Sequence, residues 1–438
     1  MKKLNKVILL SSAVFALASC ASGTGNAIDA VCDELPEGAY VYRGEQSKTE
    51  VSFYSSLMYT LRDQARQYIG KKAFGITADD DEDAILKKLH DGNALWGVMS
   101  ETSSAGYIYP RYYLYQHGYT KGFVDRKEYN KLSKEDQDKA MMSTSQGTYP
   151  ESIDGLMTGT FDVICGFFDT RYGSAFVQKD GKYAGKENLF KNTYTVAVTD
   201  PIMNDTVSIR TSLSDGKREA IKKAFKAAVK DGNSKDTATA AGLVYQIYSH
   251  TGYVDASDSQ YASAKEMYKW SEETKDPTKK VTIPTDVTPD SKDTTDENKV
   301  IKIQLVPSND PATISARAKD LQPKLNSYVT DTGYTFKIIV GTTEGGYEMT
   351  TTALVSGQID AAFLPAGSYA SAFVNHPGKI EPLLAASRAG YKVQVEDFAG
   401  ETKDSMFDQE HRILQRKAMN GEIDKNGKAV KATKTETK

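Results

Sequence analysis

VIKIQLV at 300–306, TFKIIV at 335–340 and LVSGQIDAAFL at 354–364 decide how this chain folds. Each carries a short apolar run, too short for a helix and rich in Ile, Val, Leu and Phe, which is the composition of a buried strand. The residues between them change period. Asp310 to Thr330 and Glu344 to Ser356 have helical patterns, the second closed by Gly357. Ile359 to Leu364 is then a third strand, and Ser368 to Val374 a short helix. Strands alternating with helices predict a parallel sheet, with ligands at the C-terminal ends of its strands.

The first half repeats this pattern. It predicts helices at 81–89, 107–117, 151–157 and 217–230, strands at 95–99 and 161–167, and extended chain at 192–199 and 206–211. Ile221, Phe225, Ala228 and Val229 share one side of the helix 217–230. LMTGTFDVICGF (156–167) and LVSGQIDAAFL (354–364) align as a helix end, a Gly, then a buried strand opening on Asp. They predict pseudo-equivalent pieces of two lobes.

WGVMSETSSAGYIYP (96–110) carries the chemistry. An apolar run ends in small hydroxyl residues and then enters a helix. The first N–H groups of a helix lack partners and carry partial positive charge, so they attract an anion. Ser103 and Ser104 add hydroxyl donors there, and a phosphate or phosphonate group is the expected guest. A Ser-rich loop before a helix also serves as a plain N-cap.

Residues 1–19 read as a signal peptide: Lys2, Lys3 and Lys6, the apolar run Val7 to Leu17, then small residues. Leu17-Ala18-Ser19-Cys20 is similar to the lipobox of bacterial lipoproteins, which implies a lipid on Cys20. The expected location is the extracytoplasmic face of the cell membrane, with residues 20–38 as tether. A net charge of −3 over 438 residues argues against nucleic acid as a partner. Cys165 lies in an apolar run and reads as a small core residue rather than the disulfide partner of Cys32. Residues 274–299 are rich in Thr, Asp, Lys and Pro and read as a flexible linker with ends about 25–30 Å apart. Residues 426–438 read as a disordered, solvating tail.

Several spaced segments together resemble the phosphate/phosphite/phosphonate-binding proteins of ABC importers (the PhnD-like type). VPSNDPATISARAKDLQPKL (306–325) resembles that family's opening strand and helix, and VSGQIDAAFLPAGSYASA (355–372) its next signature. SETSSAGYIYPR (100–111) resembles its anion loop; LMTGTFDVICGFFD (156–169) and TDPIMNDTVSIRTSL (199–213) resemble later segments. Their order is swapped, which implies a circular permutation with new ends near residues 40 and 425. The resemblance implies an α/β, type II periplasmic-binding-protein fold of two lobes. One lobe comprises 201–273 with 300–390, the other 39–200 with 391–425. Hinge crossings are expected near 199–204 and 390–395, with substrate in the cleft.

Carried over residue by residue, the resemblance makes Ser103 and Ser104 the anion-loop hydroxyls, with N–H groups around Ala105 and Gly106 completing the cradle. Ala105 stands where a third hydroxyl is usual. Tyr149 stands where a His is frequent. Asp169 and Asp205 match acidic residues that accept from the ligand's polar end, and Tyr347 and Tyr369 match cleft tyrosines. The bland alternatives are core packing for the tyrosines and turn or hinge capping for Asp205. No cofactor, metal site or catalytic motif is expected: His90, His117, His250, His376 and His411 are scattered without ligand spacing. The resemblance implies a monomeric, lipid-anchored solute receptor, not an enzyme, that passes a phosphorus-containing ligand to an ABC permease. Two alternatives stand beside it: a receptor for a phosphorylated vitamin such as thiamine phosphate, and a surface adhesin or sensor on the same fold.

Overall fold

A computed structural model describes residues 35–66, 73–99, 101, 103–146, 149–172, 188–234, 236–295, 298–306, 311–341, 346–395 and 408–431. The signal segment, Cys20 and Cys32 lie outside these residues. In chain order the strands are β1 (Gln46–Val51), β2 (Phe53–Leu61), β3 (Trp96–Val98), β4 (Gly122–Asp125), β5 (Ala140–Ser145), β6 (Val163–Phe167) and β7 (Thr193–Met203). They continue as β8 (Thr206–Arg210), β9 (Gly252–Asp255), β10 (Val300–Leu305), β11 (Thr335–Val340), β12 (Ala361–Leu364) and β13 (Ile380–Tyr391). The chain divides into two compact units. Unit 1 comprises residues 1–45, 56–200 and 391–438; unit 2 comprises 46–55 and 201–390.

Unit 2 is built on the sheet β1-β13-β8-β12-β10-β11, with β9 also paired to β13. β10 pairs in parallel with β11 and β12, so Ile303 lies beside both Ile338 and Ala361. β8 runs antiparallel to β12. Helices cover the sheet, which is why β12 is apolar on both faces: Ala361, Ala362, Phe363 and Leu364 are all buried. The helix Asp215–Ala228 buries Ile221, Phe225 and Ala228 against this core, and Val229 packs at its edge.

Unit 1 repeats the arrangement in the sheet β4-β5-β3-β6-β2-β7. β3 lies parallel between β5 and β6, and β2 runs antiparallel to β6. In both units a first parallel strand, β3 or β10, lies between a second, β5 or β11, and a third, β6 or β12, as in a doubly wound sheet, and in unit 1 β4 extends the parallel run beyond β5. The matched sequence segments have matched structures. Gly159 and Gly357 end their helices at φ of +72° and +76°, the left-handed region open to glycine. The Asp opening each third strand bonds the first strand twice. Asp162 donates its N–H to Leu95 O and accepts the Leu95 N–H; Asp360 does the same with Lys302, all at 2.8–2.9 Å. A carboxylate thus replaces ladder bonds that the short third strand cannot supply.

Residues 46–55 depart from the expected lobe boundaries. They join unit 2 because β1 pairs with β13. Glu50 accepts from Thr251 and Ser387, and Asn204 Nδ2 donates to Val51 O at 3.2 Å. The segment 274–299 is a second correction: its described residues are pinned along unit 2. Asp290 N–H donates to Thr211 Oγ1 and Gly378 O, and Asp290 pairs with Lys379 at 2.9 Å. Asp293 N–H donates to Ser212 O, and its carboxylate takes Arg210 at 2.7 Å. Composition predicts disorder from a shortage of apolar residues, but here alternating Lys and Asp find fixed partners. The tail is also shorter than expected. Ile423 bridges Ala429, Val430 N–H donates to Glu422 O, and Glu422 is buried on Tyr194 and Arg416. Near the other end, Tyr40 N–H donates to Ile423 O at 2.7 Å, which puts residues near 40 and 425 side by side.

Candidate functional site

In unit 1 the candidate residues begin where β3 ends. Ser103 caps a π-helical turn, Ser104–Ile108, that continues into the helix Tyr109–Gln116. Ser103 Oγ accepts the Gly106 N–H at 3.1 Å and lies 3.2 Å from Tyr149 Oη. Phe167 meets the Tyr149 ring edge-on at 5.0 Å. Ala105 is buried, and its carbonyl accepts from Ser56 Oγ at 2.6 Å. A Cβ at Gly106 would lie 2.2 Å from Met99 Cγ, so glycine is needed to seat the turn. The structure thus brings Ser103, Ser104, Ala105, Gly106 and Tyr149 together. Within that group Ser103 Oγ and the Gly106 N–H satisfy each other. The Ser104 hydroxyl and the N–H groups of Ser104 and Ala105 donate to no acceptor among the described residues, and together they form a small positive rim.

Asp169 is placed differently. It is fully buried, and both carboxylate oxygens hold Arg171, Oδ1 to Nε and Oδ2 to Nη2, each at 2.9 Å. The Arg171 N–H and Tyr59 Oη also donate to Oδ1, at 3.1 and 3.2 Å. Arg171 Nη1 donates to Thr193 Oγ1, and its guanidinium lies over the rings of Tyr59 and Phe190 at 4.4 and 4.7 Å. Burial opposes the guanidinium charge, but Asp169 outweighs it and the Arg171 pKa rises. Burial first, then Asp169, pushes the phenols of Tyr42 and Tyr59 well up. This is a core ion pair in place of the ligand acceptor read from sequence. Cys165 is a buried, unpaired thiol in β6, raised by burial.

In unit 2, Asp205 sits in the turn between β7 and β8. Its Oδ2 is 3.2 Å from His250 Nε2 and 3.6 Å from Arg388 Nη2. His250 Nδ1 is 3.1 Å from Tyr253 Oη, and Tyr248 Oη donates to Val306 O at 2.8 Å. Tyr347 is half-buried, and its hydroxyl has no hydrogen-bond partner among the described residues; burial, then Asp205, raises its pKa. Tyr369 belongs elsewhere. It is fully buried against Tyr261, donates to Asp258 at 2.6 Å, and is a core residue in place of a cleft tyrosine. His250 and Arg388 were not legible as partners of Asp205. The one sequence signal is an Arg late in β13, a strand that also carries Glu381 and Ser387.

Burial is the largest influence on His250 and lowers its pKa below the ordinary 6.5; the bond to Asp205 only partly offsets it. The ring is therefore neutral near pH 7, with Nε2–H donating to Asp205 and Nδ1 accepting from Tyr253. Burial would raise the Asp205 pKa, but His250 and Arg388 outweigh it and hold it below 3.8. Both shifts have the unfolded chain binding more protons, so stability falls with falling pH. The His250 part is complete above about pH 6.5 and is lost below it; the Asp205 part goes only below about pH 4. Melting temperature should decline from pH 7 to 5, and less steeply in His250→Gln.

Among the described residues no helix is long and apolar enough to cross a membrane, and no His, Cys, Asp and Glu group has metal-site geometry. Residues 48–261 match the model of a family described as ABC transporter, phosphonate, periplasmic substrate-binding protein. No curated protein matches the chain. Among solved structures, XAC2383 from Xanthomonas citri bound to ATP is 13% identical, with a TM-score of 0.35, covering 55% of this chain and 72% of that one. A binding protein component of an ABC phosphonate transporter, PA3383 from Pseudomonas aeruginosa, is 14% identical, with a TM-score of 0.32, covering 66% and 74%.

Proposed function

From a chain whose residues 48–261 match the phosphonate periplasmic substrate-binding proteins of ABC transporters, we propose what the protein does, which residues hold the cargo and how the receptor is tethered. The protein is an extracytoplasmic solute-binding protein for a phosphonate-type ligand, serving a membrane permease. Ser104 Oγ and the N–H groups of Ser104 and Ala105 take the oxyanion. The observation carrying this is that these donors have no acceptor among the described residues, while the Ser103–Gly106 cap and Tyr149 hold the turn in shape. Oriented donors at a helix start bind tetrahedral oxyanions without rearrangement. In unit 2 Tyr347 is a candidate ligand residue on separate grounds, a half-buried hydroxyl with no hydrogen-bond partner among the described residues.

Native mass spectrometry of the protein as purified tests the cargo class. A bound mass matching a phosphonate, phosphite or phosphate ester supports it; co-purified cargo without phosphorus counts against it. Tyr347 is also the residue that favours the thiamine phosphate alternative, since a half-buried ring offers stacking area. In that case Tyr347→Ala abolishes binding of thiamine phosphate and spares small oxyanions.

The lipid on Cys20 rests on the Leu17-Ala18-Ser19-Cys20 motif. Intact mass of membrane-extracted protein should show acyl chains on an N-terminal Cys20, and a free cleaved N-terminus elsewhere would remove the anchor. The permutation is supported by the swapped order of segments, by the Tyr40–Ile423 bond, and by a linker that stays on unit 2. Close, exposed ends are what permutation requires. A chain starting at residue 300, joined from 425 to 40 and ending near 275, should fold to the same binding activity; an insoluble product would argue against it.

A further inference from the structure

We propose that unit 2 carries a second anion site at the end of its sheet where β10 and β12 begin, away from the strand ends that usually bind ligands. A polar cavity of about 290 Å³ opens there, lined by Arg210, Lys217, Lys302, Asp293 and Asp360. Arg210 uses four of its five donors on described residues. Its Nη1 donates to Ser212 Oγ and Asp293 at 2.7 Å, and its Nε and Nη2 donate to Asp360 at 3.2 and 3.0 Å. Asp360 Oδ2 accepts the Lys302 N–H.

The two lysines are different. The Lys217 side chain is 7% exposed, yet its ammonium is 3.6 Å from the nearest carboxylate, Asp360, and makes no hydrogen bond among the described residues. A buried ammonium with empty donors is costly, and acceptor oxygens remove that cost. Lys302 lines the same cavity, and its ammonium has no carboxylate partner among the described residues. Among the described lining residues three cations meet two carboxylates, which leaves one positive charge for a guest. The cavity exceeds a bare oxyanion, and Thr295, Asn298 and Gln358 supply further polar groups to its wall. The guest is a small phosphate or carboxylate bearing hydroxyl groups. Asp293, Thr295 and Asn298 come from the segment joining the helix Ala262–Lys275 to β10, so the guest would also hold that segment down.

Trypsin reads this directly, since the segment holds Lys279, Lys280, Lys292 and Lys299. The full chain is digested with inorganic phosphate, glycerol 3-phosphate or glycerate, and cleavage after each Lys is followed by mass spectrometry. Protection should rise with concentration, to about 100-fold slower cleavage at 100 times Kd if cutting requires release of the guest. Glycerate and glycerol 3-phosphate distinguish a carboxylate from a phosphate guest. The protection should persist in Ser104→Ala, which separates it from the unit 1 site, and vanish in Lys217→Met and Lys302→Ala. Unchanged cleavage with all three probes, or protection surviving the Lys217→Met/Lys302→Ala double variant, overturns the proposal.

Discussion

Asp169→Asn should cost about 3–5 kcal/mol of stability, the range for removing one partner of a buried ion pair. Arg171 is fully buried and takes both oxygens of Asp169. An amide keeps one acceptor and turns an NH2 group toward a guanidinium that has only donors. The rings of Tyr59 and Phe190 lie over the guanidinium, and neither Asp169 nor Arg171 is exposed to solvent that could replace the lost charge. At about 2–4 °C per kcal/mol for a unit of this size, the melting transition of unit 1 should fall by roughly 10 °C. Affinity per folded molecule should hardly change. A ligand-contacting Asp169 predicts the opposite pattern, with weakened affinity and a nearly unchanged melt. Thermal melting and calorimetric titration on the same sample distinguish them.

Ser104→Ala and Ser103→Ala should separate binding from architecture. Ser104 Oγ has no structural partner among the described residues, so its loss should leave the melt unchanged. It should weaken a phosphonate by about 10–100-fold, the value of a hydrogen bond to a charged group. Ser103 Oγ accepts the Gly106 N–H and meets Tyr149. Its removal should cost about 1 kcal/mol of stability as a lost cap, and also affinity. Equal effects of both variants on the melt would mean that Ser104 caps the turn as well.

The legible parts of the fold were those where a local signal coincides with a tertiary need. Gly357 and Gly159 end helices at positive φ, and the Asp after each bonds the neighbouring strand, so paired segments declared paired lobes. β2 and β13 were harder. FYSSLMYTL buries Ser55, Ser56 and Thr60, and IEPLLAASRAGY mixes Pro and Gly with small residues, so neither shows a clean period. At the site, Ser103, Ser104 and Gly106 are contiguous and could be read together. Asp205, His250 and Arg388 are brought together only by the sheet of unit 2. Asp169 and Tyr369 show the limit of matching residue types. An acid and a phenol stood at the expected positions, but Arg171, two residues on, and Asp258, over a hundred residues away, had already claimed them.

The most direct measurement is calorimetric titration of the mature protein with a simple alkylphosphonate, run beside Ser104→Ala. Saturable binding by the wild-type chain, at least tenfold weaker in the variant, is the expected result. Equal affinity in both proteins, or no heat from the wild-type chain with any phosphonate, phosphite or phosphate ester, would contradict oxyanion capture by the Ser103–Gly106 turn.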